Sequence, residues 1–232
     1  MKFLLPTACI GCKSYQPSRI CDKCLNRLIR SQIHRCFQCA LPTHLNAIYC
    51  AQCQYERPYF DETVCLDSYE GLLTDAVRQY KYSGEVAMAL GLIETWFKIF
   101  DNGLFNHRKK EDVVLSAVPL STIKLHERGF NQSWELAKIF GRKTGAIVNA
   151  HILTRKHLDT NQAKLGKAER LSRLENIFSI SPENQAYIRN KCIVIVDDVM
   201  TTGATLNSMS KLLKKHGAKE IINWVILRTP LK

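Results

Sequence analysis

The sequence of 232 residues lacks any run of about 18 or more apolar residues, which is the length that a membrane-spanning helix needs. The apolar stretch between Met1 and Cys12 is too short for a secretory signal, so we expect none. We therefore expect a cytoplasmic protein with no membrane insertion. Nothing in the composition indicates disorder, since 46% of the residues are hydrophobic and 23% are charged, as in ordinary globular proteins.

Acidic residues are scarce relative to basic ones. The chain has 21 Asp and Glu against 33 Lys and Arg, which gives a formal net charge of +12. An excess of cations raises the local concentration of polyanions and therefore favours an anionic partner such as nucleic acid. The alternative is that this charge serves only solubility.

Disulfides are not expected in a cytoplasmic chain, yet the sequence has ten cysteines, eight of them in four Cys-x-x-Cys pairs. Two such pairs can complete a closed tetrahedral site. The pattern predicts two structural Zn²⁺ sites, with an iron–sulfur cluster as the minor alternative. Sequential pairing would use Cys9, Cys12, Cys21 and Cys24, then Cys36, Cys39, Cys50 and Cys53; an interleaved pairing stays open. Pro58 predicts a boundary between a metal-binding module at residues 1–57 and a second domain at residues 58–232.

The strongest chemical signal lies at residues 193–205, which read IVIVDDVMTTGAT. Four β-branched residues predict a strand buried on both faces, as in a parallel sheet, which ends at Asp197 and Asp198. The polar loop from Thr201 to Thr205 then begins a helix, whose free N–H groups suit a phosphate, and Gly203 permits close approach. The two carboxylates suit ribose hydroxyls or Mg²⁺. These residues predict a site for a phosphorylated sugar such as ribose 5-phosphate; a buried strand followed by a polar helix cap is the alternative.

A second strand and loop follow the same order. The apolar run at residues 113–119 predicts a strand, which leads through a basic loop with Lys124, Arg128 and Gly129 to another helix. Cations at the carboxyl edge of a parallel sheet suit a diphosphate. Arg128 is the main candidate for that contact and Lys124 the second. Lys81, beside a glycine turn, could reach a phosphate, but its spacing favours a surface residue.

The stretch at residues 193–205 resembles the type I phosphoribosyltransferases, whose signature is a hydrophobic strand, two acids and a TTG loop that bind 5-phosphoribosyl 1-diphosphate (PRPP). The four Cys-x-x-Cys pairs, RGFNQS at residues 128–133 and VDDVMTTGAT at residues 196–205 together resemble the ComF/GntX family over nearly the whole chain. This resemblance implies a Rossmann-like α/β fold with a central parallel sheet, plus a small N-terminal zinc-ribbon module. It also implies a part in DNA uptake, natural transformation or the use of external DNA.

The resemblance further implies a set of site residues. The ligand would be PRPP with Mg²⁺, and the catalytic residues would be Asp197, Asp198 and Arg128. The PRPP-binding residues would be Val199, Thr201, Thr202, Gly203, Ala204, Thr205, Lys124 and Gly129. The basic stretch at residues 155–173 corresponds to a flexible loop that closes over the active site, and it carries over Arg155, Thr160, Gln162 and Arg170.

Two functions are compatible with these residues. The first is phosphoribosyl transfer to an acceptor that the sequence does not identify. The second is a non-catalytic protein that binds single-stranded DNA and uses the fold as a PRPP-gated scaffold, with DNA-uptake or recombination proteins as partners.

Overall fold

The computed structural model describes residues 7–44, 47–83, 86–100, 108–155 and 177–230. Its strands are, in chain order, β1 (Thr7–Ala8), β2 (Tyr15–Gln16), β3 (Glu62–Ser68), β4 (Val113–Ala117), β5 (Ile147–Val148), β6 (Thr154–Arg155), β7 (Phe178–Ser179), β8 (Cys192–Met200) and β9 (Glu220–Arg228). Its helices are α1 (Asp22–Ser31), α2 (Ala51–Tyr55), α3 (Thr74–Ser83), α4 (Val86–Phe100), α5 (Thr122–Arg128), α6 (Gln132–Thr144) and α7 (Ala204–Lys215). None of the helices in these ranges combines the length and apolarity needed to cross a bilayer.

A five-stranded parallel sheet forms the centre of the described structure. The strand order is β3-β9-β8-β4-β5, and each neighbouring pair is parallel. The middle positions of β8 and β9 follow from their long apolar runs, because a central parallel strand is covered on both faces. In β9, residues 221–228 are all buried. The arrangement confirms the Rossmann-like α/β fold that the sequence predicted.

Helices cover both faces of this sheet. On one face, Trp96 of α4 and Phe140 of α6 lie 5.7 and 4.9 Å, between ring centroids, from Trp224 of β9. On the other face, Leu206 of α7 joins a buried cluster with Ile195 of β8. The helices α6 and α7 therefore lie on opposite faces, and the carboxyl end of β8 lies between their N-termini.

The cysteine-rich N-terminal segment packs against both layers. Ile10 and Leu28 belong to the cluster that contains Trp96, whereas Cys39 and Leu41 belong to the cluster of the opposite face. The two halves of this segment are thus held by different sides of the sheet. The domain boundary between residues 57 and 58 stays a prediction.

Strand β8 is longer than the sequence predicted. It runs through the two acids to Met200, because β9 pairs with it as far as the partners Met200 and Arg228. The two carboxylates therefore lie within the paired part of the sheet and do not follow it.

The basic segment after β4 also differs from its prediction, because it forms the helix α5 and not a loop. Ser121 caps this helix by accepting a hydrogen bond from Lys124 N at 3.4 Å. Gly129 ends it in the left-handed conformation, with φ of 74°, which glycine adopts without strain. Lys124 and Arg128 consequently lie on a short helix.

Candidate active site and metal centres

A pair of adjacent carboxylates lies at the carboxyl end of β8. Asp197 Oδ1 accepts one hydrogen bond from Ser133 Oγ of α6, at 2.9 Å, and another from Asp198 N, also at 2.9 Å. Asp198 Oδ2 lies 3.1 Å from Lys81 Nζ of α3, and the Asp198 side chain is buried. The acid pair is therefore joined to two helices that come from distant parts of the chain.

The environment of Asp197 disfavours its ionised form. The pKa of Asp197 is raised to about 7, mainly by burial and secondly by the charge of Asp198. The hydrogen bond from Ser133 acts in the opposite direction and lowers this pKa. A carboxyl group with this pKa changes its charge near neutral pH. Carboxyl groups perturbed in this way are typical of functional sites, where a ligand hydroxyl or a cation can compensate the buried charge.

The loop after β8 suits an anion. Gly203 has φ of 82° and precedes α7 as its N-cap residue. Thr201 and Thr202 are exposed, and Thr202 Oγ1 accepts a hydrogen bond from Ala204 N at 3.3 Å. A Cβ atom at Gly203 would lie 2.5 Å from Met200 Cε, so the loop backbone rests directly on the core. The N-terminal N–H groups of α7 are thus offered at the same edge of the sheet as the two carboxylates.

Residues of the RGFNQS motif connect Arg128 of α5 with the end of α3 and with the acid pair. Arg128 Nη1 donates to Gln132 Oε1 at 3.1 Å, and Gln132 Nε2 donates to the carbonyl oxygen of Lys81 at 3.4 Å. Ser133, the last residue of the motif, reaches Asp197. Arg128, the predicted diphosphate contact, is therefore linked through Gln132 to the same segment that pairs with the acids.

Two contacts of this site have no counterpart in the sequence predictions. The pattern indicated a surface position for Lys81 and assigned no role to Ser133, yet both contact the acid pair. Ser133 directly follows the RGFNQ run at the start of a helix, which was the available signal. The glycine turn beside Lys81 indicated that this residue could reach a phosphate, but not that it contacts Asp198, because that contact depends on how α3 lies over the sheet.

The remaining predicted site residues lie in three places. Those that follow the acids are the half-buried Val199 at the end of β8, then Thr201, Thr202, Gly203, Ala204 and Thr205 in the loop and first turn of α7. Lys124 and Gly129 belong to α5 and its C-terminal end. Arg155 lies in β6, with its guanidinium carbon 6.0 Å from the ring centroid of Phe178, and burial lowers its pKa. Thr160, Gln162 and Arg170 lie outside the described residues.

The eight paired cysteines form two groups of four, and within each group all the sulfur atoms lie within 4.8 Å of one another. The pairing is sequential: the first group is Cys9, Cys12, Cys21 and Cys24, and the second is Cys36, Cys39, Cys50 and Cys53. The distance from Cys12 Sγ to Cys21 Sγ is 3.8 Å, and that from Cys39 Sγ to Cys50 Sγ is 3.5 Å. Four sulfur atoms about 2.3 Å from a tetrahedral Zn²⁺ would be about 3.8 Å apart, so both groups fit this ion.

A parallel sheet with two acids, a left-handed glycine and a helix N-terminus at one edge defines a protein with the type I phosphoribosyltransferase fold. A family model described as "Phosphoribosyl transferase domain" matches residues 139–231, which include the acids and the loop. Among solved structures, a hypoxanthine phosphoribosyltransferase from Staphylococcus aureus matches with a TM-score of 0.31 and 13% identity, over 66% of this chain and 64% of that one. A likeness at this level adds nothing to the assignment.

Sequence relatives identify the family within this class. The chain is 30% identical over 215 residues to the DNA utilization protein YhgH of Salmonella typhimurium, with 90% of each chain covered. It is 26% identical over 223 residues to Competence protein F of Haemophilus influenzae, over 95% of this chain and 96% of that relative. Competence protein ComFC of Bacillus subtilis is 28% identical over 222 residues, which cover 91% of this chain and 85% of that protein. The chain belongs to the ComF family.

Proposed function

We propose that this chain is a cytoplasmic phosphoribosyltransferase-like protein that binds PRPP with Mg²⁺ and acts in the uptake or use of external DNA. The observation that carries the proposal is the continuous set of contacts at the carboxyl end of β8. There the acid pair, the loop before α7 and the start of α6 lie at one edge of a parallel sheet, where open α/β sheets bind their ligands.

The two ends of a ribose 5-phosphate have distinct partners in this proposal. The 5-phosphate binds the loop from Thr201 to Thr205, whose hydroxyl groups and N–H groups are the available donors at the start of α7. The vicinal hydroxyls of the ribose donate to Asp197 and Asp198. A hydroxyl donor favours the ionised form of Asp197, whose pKa burial and the Asp198 charge raise in the free protein.

The diphosphate requires positive charge. Arg128 is the main candidate and Lys124 the second, and Lys81 lies beside Asp198 at the same edge. Mg²⁺, bound mainly by diphosphate oxygens and ribose hydroxyls, would supply further positive charge for the leaving group. The side chains of this chain then act by orienting the ribose and by compensating the charge of the departing diphosphate.

The two cysteine groups hold structural zinc ions in this proposal. Each group has four thiols within tetrahedral reach and leaves no position for a substrate. The metal would stabilise a segment that has few large apolar side chains of its own. The acceptor of a phosphoribosyl group has no candidate among the described residues.

The part in DNA uptake or use is supported by the names of relatives, which are competence and DNA utilization proteins, and by the net charge of +12. A specific feature favours direct binding of single-stranded DNA as a second candidate function. In the cysteine-rich segment the Phe37 side chain is 48% exposed, and the guanidinium of Arg57 lies 5.5 Å from the Tyr49 ring centroid. The Tyr49 ring is half-buried, so Phe37 is the exposed ring of this pair. An exposed ring on a basic surface is a usual stacking site for bases.

Calorimetric titration of PRPP with Mg²⁺ into the zinc-loaded chain tests the first function. We expect binding by the wild type and its loss in the double variant Asp197→Asn/Asp198→Asn. The matched control is Asp75→Asn, which removes the charge of an acid with a side chain 71% exposed, and it should bind like the wild type. A folded wild-type protein that does not bind PRPP would refute the proposal.

Titration of single-stranded DNA at several salt concentrations tests the second function. Phosphate contacts should make the affinity fall steeply as salt rises, because counterions are released on binding. A PRPP-gated scaffold further requires that saturating PRPP change the DNA affinity. Equal DNA affinity with and without PRPP would contradict the gating.

A further inference from the structure

Arg228, the last residue of β9, is buried without a carboxylate partner among the described residues. Only 3% of its surface is exposed, and its hydrogen bonds go to main-chain carbonyl oxygens. Nε donates to the carbonyl of Cys39 at 2.9 Å, and Nη1 donates to the carbonyls of Met200 at 3.3 Å, of Thr229 at 2.9 Å and of Thr201. A buried charge persists only where such contacts replace its water, so these carbonyls and the guanidinium hold one another in place.

The partners of Arg228 come from two separate functional segments. Cys39 is a member of the second cysteine group, and its carbonyl lies in a tight turn that is closed by a hydrogen bond from Ala40 N to Cys36 O at 2.8 Å. Thr201 is the first residue of the loop proposed to bind the 5-phosphate. The guanidinium therefore spans the distance between a metal-binding turn and the phosphate loop.

The contact with Thr201 fixes the direction of a peptide group in the loop. No cis peptide bond occurs in the described chain, and in a trans peptide the C=O and N–H groups point in opposite directions. Because the Thr201 carbonyl points at the buried guanidinium, the N–H of Thr202 points away from the core. This N–H belongs to the exposed part of the loop, where an anion can approach it.

We propose that Arg228 is a positioning residue for the phosphate loop, and that the second cysteine group with its metal sets the shape of this loop through the Cys39 carbonyl. The inference rests on the proposed function, because it assigns PRPP affinity to the loop. Loss of the metal from the second group would free the turn that holds Cys39. Arg228 would then lose a fixed acceptor, and the peptide after Thr201 would lose its fixed direction.

In the described structure Arg228 has no hydrogen bond to the first cysteine group, so this group serves as the control for the second. Its segment packs on the opposite face of the sheet, against α4. There Arg19 Nη1 lies 2.5 Å from Glu94 Oε1, and a Cβ atom at Gly91 would lie 2.7 Å from Ile10 Cγ2. Metal loss from this group should leave the phosphate loop unchanged.

The first test is the PRPP affinity of Arg228→Met and Arg228→Lys, measured by calorimetry on protein with a verified zinc content. We expect both variants to keep two zinc ions and to bind PRPP about tenfold more weakly, the effect of losing one charge-assisted hydrogen bond. The lysine variant keeps the charge but has a single nitrogen, so it cannot donate from both the Nε position, to the Cys39 carbonyl, and the Nη1 position, to the loop carbonyls. Arg108→Met is the matched control: it removes an arginine bonded to Glu220 at the other end of the same strand and should leave PRPP affinity unchanged.

The second test needs no PRPP and so separates this inference from the proposed function. Hydrogen exchange of the amides in residues 201–205 is compared in wild type, Cys50→Ser of the second group and Cys21→Ser of the first. We expect faster exchange after loss of the second metal only, and also in Arg228→Lys. Equal exchange in all four proteins, or equal acceleration by both cysteine variants, would overturn the inference. If exchange follows the expected pattern while the wild type binds no PRPP, only the proposed function fails.

Discussion

The ion pair between Lys81 and Asp198 gives the sharpest quantitative prediction. Lys81 Nζ lies 3.1 Å from Asp198 Oδ2, and the two side chains are 18% and 11% exposed. At this distance and an effective dielectric constant of about 20, the attraction between unit charges is about 5 kcal/mol. Water that reaches the partly exposed pair screens part of this attraction, so we expect a coupling of about 3 kcal/mol.

A double-mutant cycle measures this coupling. Urea unfolding at pH 8 is compared for wild type, Lys81→Met, Asp198→Asn and the double variant. Lys81→Met alone should lower the free energy of unfolding by about 3 kcal/mol, because it leaves Asp198 buried and unpaired next to Asp197. The double variant should be more stable than the sum of the single effects predicts.

An exposed pair provides the control for that cycle. Lys191 Nζ lies closer to its partner, 2.7 Å from Asp112 Oδ1, but these side chains are 27% and 49% exposed. Solvent screening should therefore make the coupling in the cycle of Lys191→Met and Asp112→Asn much smaller than that between Lys81 and Asp198. Equal couplings for the two pairs, or a coupling of Lys81 with Asp198 below about 0.5 kcal/mol, would refute the burial argument.

Three further results are expected. Gly203 has φ of 82°, and a Cβ atom there would lie 2.5 Å from Met200 Cε, so Gly203→Ala should lower the free energy of unfolding by about 1–2 kcal/mol and weaken PRPP binding. The control is Gly145→Ala, where φ is 72° and the nearest contact of a Cβ atom is 3.9 Å; it should lower the free energy of unfolding without changing PRPP binding. The pKa of Asp197 is raised in the folded protein, so wild type loses stability as pH rises from about 4 towards 7 and this carboxyl group ionises. Asp197→Asn has no such group, so its melting temperature minus that of wild type should increase between pH 5 and pH 8. A decrease in this difference would contradict the prediction. Elemental analysis should find two zinc ions per chain, and one after serine replaces a thiol of either group; a wild-type content of one would contradict the two-site assignment.

Local patterns in the sequence were sufficient to predict several elements. The apolar run before Asp197 predicted a central parallel strand, since only a strand covered on both faces can bury four consecutive aliphatic residues. The spacing of the cysteines predicted two metal groups, because each pair acts within a single tight turn. Neighbouring residues carry such signals, so no knowledge of the tertiary structure was required.

Errors in the prediction arose where a neighbouring element decides the outcome. Strand β8 extends through the acids to Met200 because β9 continues beside it, which the β8 sequence does not record. The basic residues of the segment that precedes Gly129 predict a loop. Its cap at Ser121 and the left-handed glycine instead enclose one short helix.

The contacts that make the site depend on the tertiary structure alone. Ser133 and Asp197 are 64 positions apart, and Arg228 and Cys39 are 189 apart. No periodicity or spacing encodes such pairs, because they follow from the strand order β3-β9-β8-β4-β5 and from the face on which each helix packs. The sequence by itself therefore determined which groups are the candidates for ligand and metal binding. The tertiary structure decided which acid Lys81 pairs with and which cysteine turn lies beside the loop proposed to bind phosphate, since burial against the sheet brings these distant segments together.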